Sequence, residues 1–148
     1  MKKKRLDELE LELSFNVHAT EDEKKLINVL KGNFNIEESH FSKTVFEGYH
    51  GNPISKYIII VKSPVAGHVF NVIFKKLESL DRIDLLKNIN QNIDSTKAFY
   101  LRLDKSSLFS DRFRLNKSNV FHFKFKPKLR YLKDANTFYI ELISESVS

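Results

Sequence analysis

The sequence predicts an α+β fold: a single domain in which a mainly antiparallel sheet of about five strands has helices packed on one face. Two observations support this prediction. Segments with an apolar residue at every second position, typical of half-buried strands, alternate with segments of helical period. The chain of 148 residues also has the usual length of one domain. Residues 1–148 are therefore assigned to one domain, with residues 1–6 expected to form a flexible basic tail.

The first strand covers Leu9–Val17, where apolar and polar residues alternate. Thr20 and Glu23 have the spacing of a capping box, in which two side chains bind backbone N–H groups at the start of a helix. Apolar residues then recur at helical spacing. The pair Gly32-Asn33 predicts that this helix ends near residue 31.

Two further strands are predicted over Phe41–Glu47 and Ile54–Lys62. The loop between them, Gly48–Pro53, is rich in turn-forming residues, so a hairpin is the simplest arrangement. A short helix over 81–90 is preceded by a longer one that begins at Pro64. The apolar face of the longer helix comprises Val69, Phe70, Ile73, Phe74, Leu77 and Leu80.

The last two strands are predicted over Ala98–Asp104 and Val120–Lys126. In the second, three phenylalanines occupy one face, and a histidine and two lysines occupy the other. The segment between the two strands, Lys105–Asn119, is predicted to be an irregular basic connection with one helical turn. Residues 132–143 fit both a helix and a strand, and the helix is preferred.

Positive charge is concentrated in one quarter of the chain. The whole chain has a net charge of +6 and a pI of about 9.4, and Lys97–Lys133 alone contains eleven basic and two acidic residues. Such a segment makes nucleic acid a candidate ligand. The lack of cysteine excludes disulfides and cysteine nucleophiles. No apolar run suits a bilayer or a signal peptide, so the cytoplasm is the expected compartment.

Three stretches carry a family resemblance: Val17–Asp22 (Val-His-Ala-Thr-Glu-Asp), Glu47–Ile54 (Glu-Gly-Tyr-His-Gly-Asn-Pro-Ile) and Tyr100–Lys105 (Tyr-Leu-Arg-Leu-Asp-Lys). In these stretches the chain resembles an archaeal family described as predicted exosome subunits or RNA-binding proteins. Their order and spacing extend the resemblance over Leu9–Ile143. The chain departs from the family at Tyr49, where a second histidine is expected.

The resemblance implies a fold similar to that of the large-subunit ribosomal protein that binds 5S ribosomal RNA. It also implies RNA as the ligand, an exosome or other RNA-processing complex as a partner, and an archaeal cytoplasmic location. It supplies no catalytic residues. Fold alone does not determine function, so the interface has to be argued from the residues themselves.

The residues place the RNA interface in the basic segment. A Lys or Arg that contacts a phosphate releases condensed counterions, and Tyr100 shares a strand face with Arg102, where a base could stack beside a guanidinium. The loop at His50 is a secondary contact. The predicted RNA-binding residues are Tyr100, Arg102, Lys105, Arg112, Arg114, Lys117, Lys124, Lys126, Lys128, Arg130, His50 and Asn52.

The same residues allow less specific interpretations. The lysines could form a solvated strand face opposite Glu8, Glu10 and Glu12 of the first strand, where cross-strand pairs would use part of the positive charge. The phenylalanines of 120–126 resemble a stacking platform, but one face of three phenylalanines opposite lysines is typical of core. They are predicted to be buried.

His18, His50 and Asp104 are the best candidates for catalysis, since histidine titrates near neutral pH. No nucleophile motif accompanies them, and the five histidines lack metal-ligand spacing. The prediction is a non-enzymatic protein without catalytic residues, cofactor or metal. The alternative to RNA binding is a docking or homodimerisation module that uses an open sheet edge or an apolar helix face.

Overall fold

The computed structural model describes residues 6, 8–128 and 133–148. Its strands are β1 (Leu9–Val17), β2 (Phe41–Glu47), β3 (Pro53–Val61), β4 (Phe99–Asp104) and β5 (Val120–Pro127). They form one antiparallel sheet in the order β2-β3-β1-β5-β4. The helices are α1 (Glu23–Phe34), α2 (Val65–Lys76), α3 (Ser79–Lys87), α4 (Lys105–Phe109) and α5 (Ala135–Val147). The predicted α+β fold class is confirmed, whereas the predicted basic tail lies outside the described residues except for Leu6.

The alternation of β1 places the core on one side of the sheet. Leu9, Leu11, Leu13, Phe15 and Val17 are all buried, while the residues between them face the other side. Helix α2 packs against β1 and against α5 on the buried side. Burial of each such side chain contributes about 1.5–3 kcal/mol, which fixes the register of the central strand.

The phenylalanines of β5 belong to this core. Phe121, Phe123 and Phe125 are at most 1% exposed. The Phe125 ring lies 5.1 Å from the ring of Phe70 and 6.5 Å from that of Phe99, measured between centroids. The prediction that these residues are core, and not a stacking platform, is confirmed.

Helix α1 differs from its predicted limits at both ends. Its N-cap is Asp22, whose carboxylate accepts a hydrogen bond from the Lys25 N–H, and not the predicted Thr20. The helix continues through Gly32 to Phe34, which is fully buried, and ends where Asn35 adopts a left-handed conformation. Packing of the Phe34 ring outweighs the cost of about 1 kcal/mol for a helical glycine.

The remaining helices occur where they were predicted, although α3 covers Ser79–Lys87 and not 81–90. Leu80 was expected on the apolar face of the helix after Pro64, but it is 77% exposed because α2 ends before Leu77 and α3 begins with a different phase. The preferred helix at 132–143 is confirmed as α5. Its Tyr139 is fully buried and donates a hydrogen bond of 2.7 Å to the Lys97 carbonyl oxygen.

Candidate nucleic-acid interface

The face of the sheet opposite the helices is open and polar. The strand register aligns its side chains in rows that cross β1, β5 and β4. One row consists of Ser14, His122 and Arg102, and the next consists of Glu12, Lys124 and Tyr100. Residues distant in sequence therefore lie side by side on this face.

A cavity of about 420 Å³ lies on this open face. Three cations line it, namely Lys56 from β3, Arg102 from β4 and Lys124 from β5. Ser14 and Asn16 contribute polar groups from β1, and the other lining residues are Glu12, Phe15, Tyr100, Leu101, His122 and Phe123. A concave surface with convergent polar groups and few acids has the character of a site for an anionic ligand.

The ring of Tyr100 is held in place at this cavity. Its hydroxyl donates a 2.6 Å hydrogen bond to Asp94, and the ammonium of Lys124 lies 5.4 Å from its centroid. Burial alone would raise the pKa of Asp94, but hydrogen bonds from Thr96, Tyr100 and Ala98 hold it well below its usual range. The tyrosine hydroxyl and nearby carboxylates raise the pKa of Lys124, which stays charged. An oriented ring is thus combined with a permanent positive charge.

His122 lies between these cations. Partial desolvation at the sheet surface, where the side chain is still exposed, together with the positive charges of Arg102, Lys56 and Lys105, lowers the pKa of His122 below the usual value of 6.5. The imidazole is therefore neutral at pH 7. An anion bound among the same cations would offset their repulsion and favour the protonated form.

The acidic residues of β1 oppose part of this charge. Glu10 lies opposite Lys126, and Glu12 lies opposite Lys124. In these two rows, glutamates of β1 do lie opposite lysines of β5, as in the alternative interpretation of the lysines as a solvated strand face. The register partners of Arg102 and Lys56 are His122, Asn16 and Thr44, none of which is acidic. Arg102 and Lys56 therefore carry positive charge that no directly opposed acid offsets.

Lys105 has a different role from the predicted phosphate contact. It is 3% exposed, and its ammonium donates hydrogen bonds to the Asn16 carbonyl oxygen at 2.6 Å and to Glu21 at 3.2 Å. Because its donors are directed into the protein, the prediction for Lys105 is wrong. These hydrogen bonds connect the start of α4 to the end of β1.

The other predicted residues divide by location. Arg112 and Arg114 both approach Glu78, at 3.0 and 3.6 Å, next to α3 and apart from the cavity lining. Lys117 and Lys128 are exposed in connections, and Lys126 is half-buried one row beyond Lys124. Arg130 lies outside the described residues. Of the predicted set, the structure therefore brings Tyr100, Arg102 and Lys124 together at the cavity.

The three stretches that carry the family resemblance meet at one end of the sheet. β1 and β4 end there, and the β2–β3 hairpin turns there, because all neighbouring strands are antiparallel. The Glu21–Lys105 ion pair joins the first stretch to the third. In the hairpin, His50 and Gly51 have positive φ angles of 71° and 76°, and both residues and Asn52 are exposed.

Asp104, one of the candidates for catalysis, is held by local hydrogen bonds. The Asp104 carboxylate caps α4 by accepting hydrogen bonds from Ser107 and also accepts one from Asn116. Within the described residues, no three His, Asp or Glu side chains form a metal-binding group. Over that same part of the chain, no helix has the length and apolar character needed to cross a bilayer.

Two of the basic residues that line the cavity, Lys56 and His122, were not among the RNA-binding residues predicted from the sequence. His122 was assigned to the polar face of β5, whereas Lys56 precedes an apolar run, Tyr57–Val61, in which polar and apolar residues do not alternate. What the sequence could not supply was the strand order, which places β3 beside β1 and so brings Lys56 towards β5. Such residues could be found from the sequence by including every basic residue at an outward position of any predicted strand among the candidates.

Comparisons with known proteins agree with a nucleic-acid interface. A family model described as RNA binding matches residues 10–127. An RNA-binding protein of Pyrococcus abyssi is 32% identical over 124 residues, which are 76% of this chain and 77% of that protein. An uncharacterized protein of Methanocaldococcus jannaschii is also 32% identical, over 80% of this chain and 87% of its own length.

Solved structures share the fold. A DUF54 protein of Sulfolobus solfataricus superposes with a TM-score of 0.70 at 23% identity, covering 92% of this chain and 98% of that chain. A DUF54 protein of Archaeoglobus fulgidus gives a TM-score of 0.72 at 21% identity, and the match covers 90% of this chain and 97% of that chain. These similarities establish a common architecture. Since the family model spans most of the sequence, from the second residue of β1 to the last of β5, the chain belongs to this RNA-binding family.

Proposed function

We propose that the chain binds single-stranded RNA on the open face of its sheet, at the cavity lined by Lys56, Arg102 and Lys124. The observation that supports this most is the convergence of three cations from three strands beside an oriented Tyr100 ring. Phosphates would contact the cations, and an unpaired base would stack on the ring. In a duplex the bases face one another, so only the backbone would reach the cavity.

Salt-dependent RNA binding tests this proposal. We expect Arg102→Gln with Lys124→Gln to weaken binding of a fluorescent single strand and to lower the slope of log K against log salt by about 0.7 for each phosphate that the variant no longer neutralises. The matched control is Arg112→Gln with Arg114→Gln. It removes the same amount of positive charge, but beside Glu78 and away from the cavity, so most of the RNA affinity should remain. Equal effects of the two double variants would contradict the assignment of the interface to the open face.

Binding should strengthen as the pH falls. A phosphate beside Arg102 would raise the pKa of His122 from its lowered value, so complex formation takes up a proton. We expect affinity to rise roughly threefold to tenfold between pH 8 and pH 5.5. His122→Asn should remove this dependence. A pH profile that is the same in both proteins would show that His122 does not participate.

The wider role that we propose is that of a non-enzymatic accessory protein in RNA processing or degradation, acting in the cytoplasm with an exosome-type complex. A ribosomal-protein-like fold, in which a sheet presents RNA-binding residues, fits that role. The support is the family resemblance of Val17–Asp22 and Glu47–Ile54, together with their position at one end of the sheet. Co-purification of the tagged chain with exosome subunits after nuclease treatment tests the association. If the subunits no longer co-purify once RNA is digested, the two were held together only by binding the same RNA.

A further inference from the structure

Strand β2 is a long unprotected edge. Among the described strands it pairs only with β3, and every residue from Ser42 to Glu47 is exposed. Val45 is 59% and Phe46 43% exposed, and the strand contains no proline. Its one lysine, Lys43, turns back to Glu23 at 3.0 Å. Edges of this kind pair with further strands unless charges, bulges or prolines prevent it.

The sequence of β2 is complementary to itself in one antiparallel register. When Val45 lies opposite Val45 of a second copy, Lys43 lies opposite Glu47 and Thr44 lies opposite Phe46. The apolar pair at the centre is a favourable cross-strand neighbour, and so is the Lys43–Glu47 contact, for which the Lys43 ammonium would leave or share its ion pair with Glu23; each contributes about 0.2–1 kcal/mol. The adjacent register, centred on Thr44, would place Lys43 opposite Val45 and leave Glu47 without a cation.

We propose that β2 pairs with β2 of a second copy of the chain in the register centred on Val45, so that the two sheets become one continuous sheet. The two-fold axis of such a pairing is perpendicular to the sheet. The helices of both copies then lie on one side, and both cavities open on the other. A single RNA strand long enough to reach both cavities would bind more tightly than one that reaches a single cavity.

The predicted dimer is weak and depends on concentration. One strand of seven residues buries much less surface than a standard protein interface, so association in the micromolar range is expected. The dimer does not need RNA, and its test is therefore independent of the proposed function. If RNA binds but the chain stays monomeric, only this inference fails.

Cross-linking tests the register directly, because the chain has no cysteine. Cα atoms of directly opposed residues in antiparallel strands are about 4.5–5.5 Å apart, within the range for a disulfide. Val45→Cys should therefore form a covalent dimer on mild oxidation. Thr44→Cys is the register control, since its sulfur would lie opposite Phe46 and not opposite itself, so little dimer is expected. Equal cross-linking of both variants, or none of Val45→Cys, would overturn the proposed register.

Sedimentation of the unoxidised protein tests the dimer without a cross-link. The wild-type mass should rise towards twice 17.4 kDa from micromolar to millimolar concentration, and Val45→Lys should remain monomeric because it places two lysines together at the axis. Ile60→Lys is the matched control: Ile60 is also 59% exposed but lies on β3, away from the edge. A wild-type chain that stays monomeric throughout would overturn the proposal, as would equal effects of the two lysine variants.

Discussion

Replacement of Phe125 by alanine is expected to lower the free energy of unfolding by about 3–5 kcal/mol, the usual cost of deleting a buried aromatic ring. The ring is fully buried and packs against Phe70, Phe99 and Phe123. Its removal leaves a cavity between β5 and α2. Chemical denaturation monitored by circular dichroism measures the decrease in stability.

Phe125→Leu is the control for this variant and should cost less, because leucine fills part of the volume. RNA affinity of the folded fraction should be unchanged in both variants, since the ring lies on the helix side of the sheet. Weakened RNA binding without a loss of stability would instead place Phe125 at the interface and contradict its assignment to the core.

Lys105→Met is expected to cost about 3 kcal/mol of stability, because removing one member of a buried ion pair leaves the other uncompensated. Asn16 would lose its hydrogen bond from the ammonium, and Glu21, 22% exposed, would keep a charge without its partner. Methionine preserves most of the side-chain volume, so the change isolates the polar interactions. Denaturant titration measures the difference.

A double-mutant cycle with Glu21→Gln separates the ion pair from the other interactions of Lys105. The combined variant should be destabilised by less than the sum of the two single effects. Arg112→Gln is the comparison at an exposed pair, where Arg112 is 57% exposed and the expected cost is below about 1 kcal/mol. If Lys105→Met were no more costly than Arg112→Gln, the Lys105 ion pair would contribute nothing to the fold.

Local pattern was sufficient to predict most of the architecture. The alternation of Leu9–Val17 and of residues 120–126 defines which side chains are buried, since a strand shows one face to each side of its sheet. The turn residues of Gly48–Pro53 defined a hairpin without any knowledge of the partners. For these elements the sequence-based assignments agree with the structure to within a residue or two.

Properties that depend on tertiary contacts were not predictable in this way. Lys105 looks like any basic residue of its segment, and only the approach of β1 to α4 shows that it is buried. Helix α1 ends later than predicted because Phe34 is buried in the core, and this burial outweighs the helix-breaking tendency of Gly32. Lys56 lines the cavity because β3 lies beside β1, and this strand order is a non-local property of the fold.

The central position of β1 has a consequence for synthesis of the chain on the ribosome. One edge of β1 pairs with β3, but the other remains open until β5 has been made, after all of α1 to α4. During that time its backbone groups are available to other nascent chains. Glu10 and Glu12, which in the finished fold face lysines of β5, would then oppose glutamates of another copy and discourage aggregation.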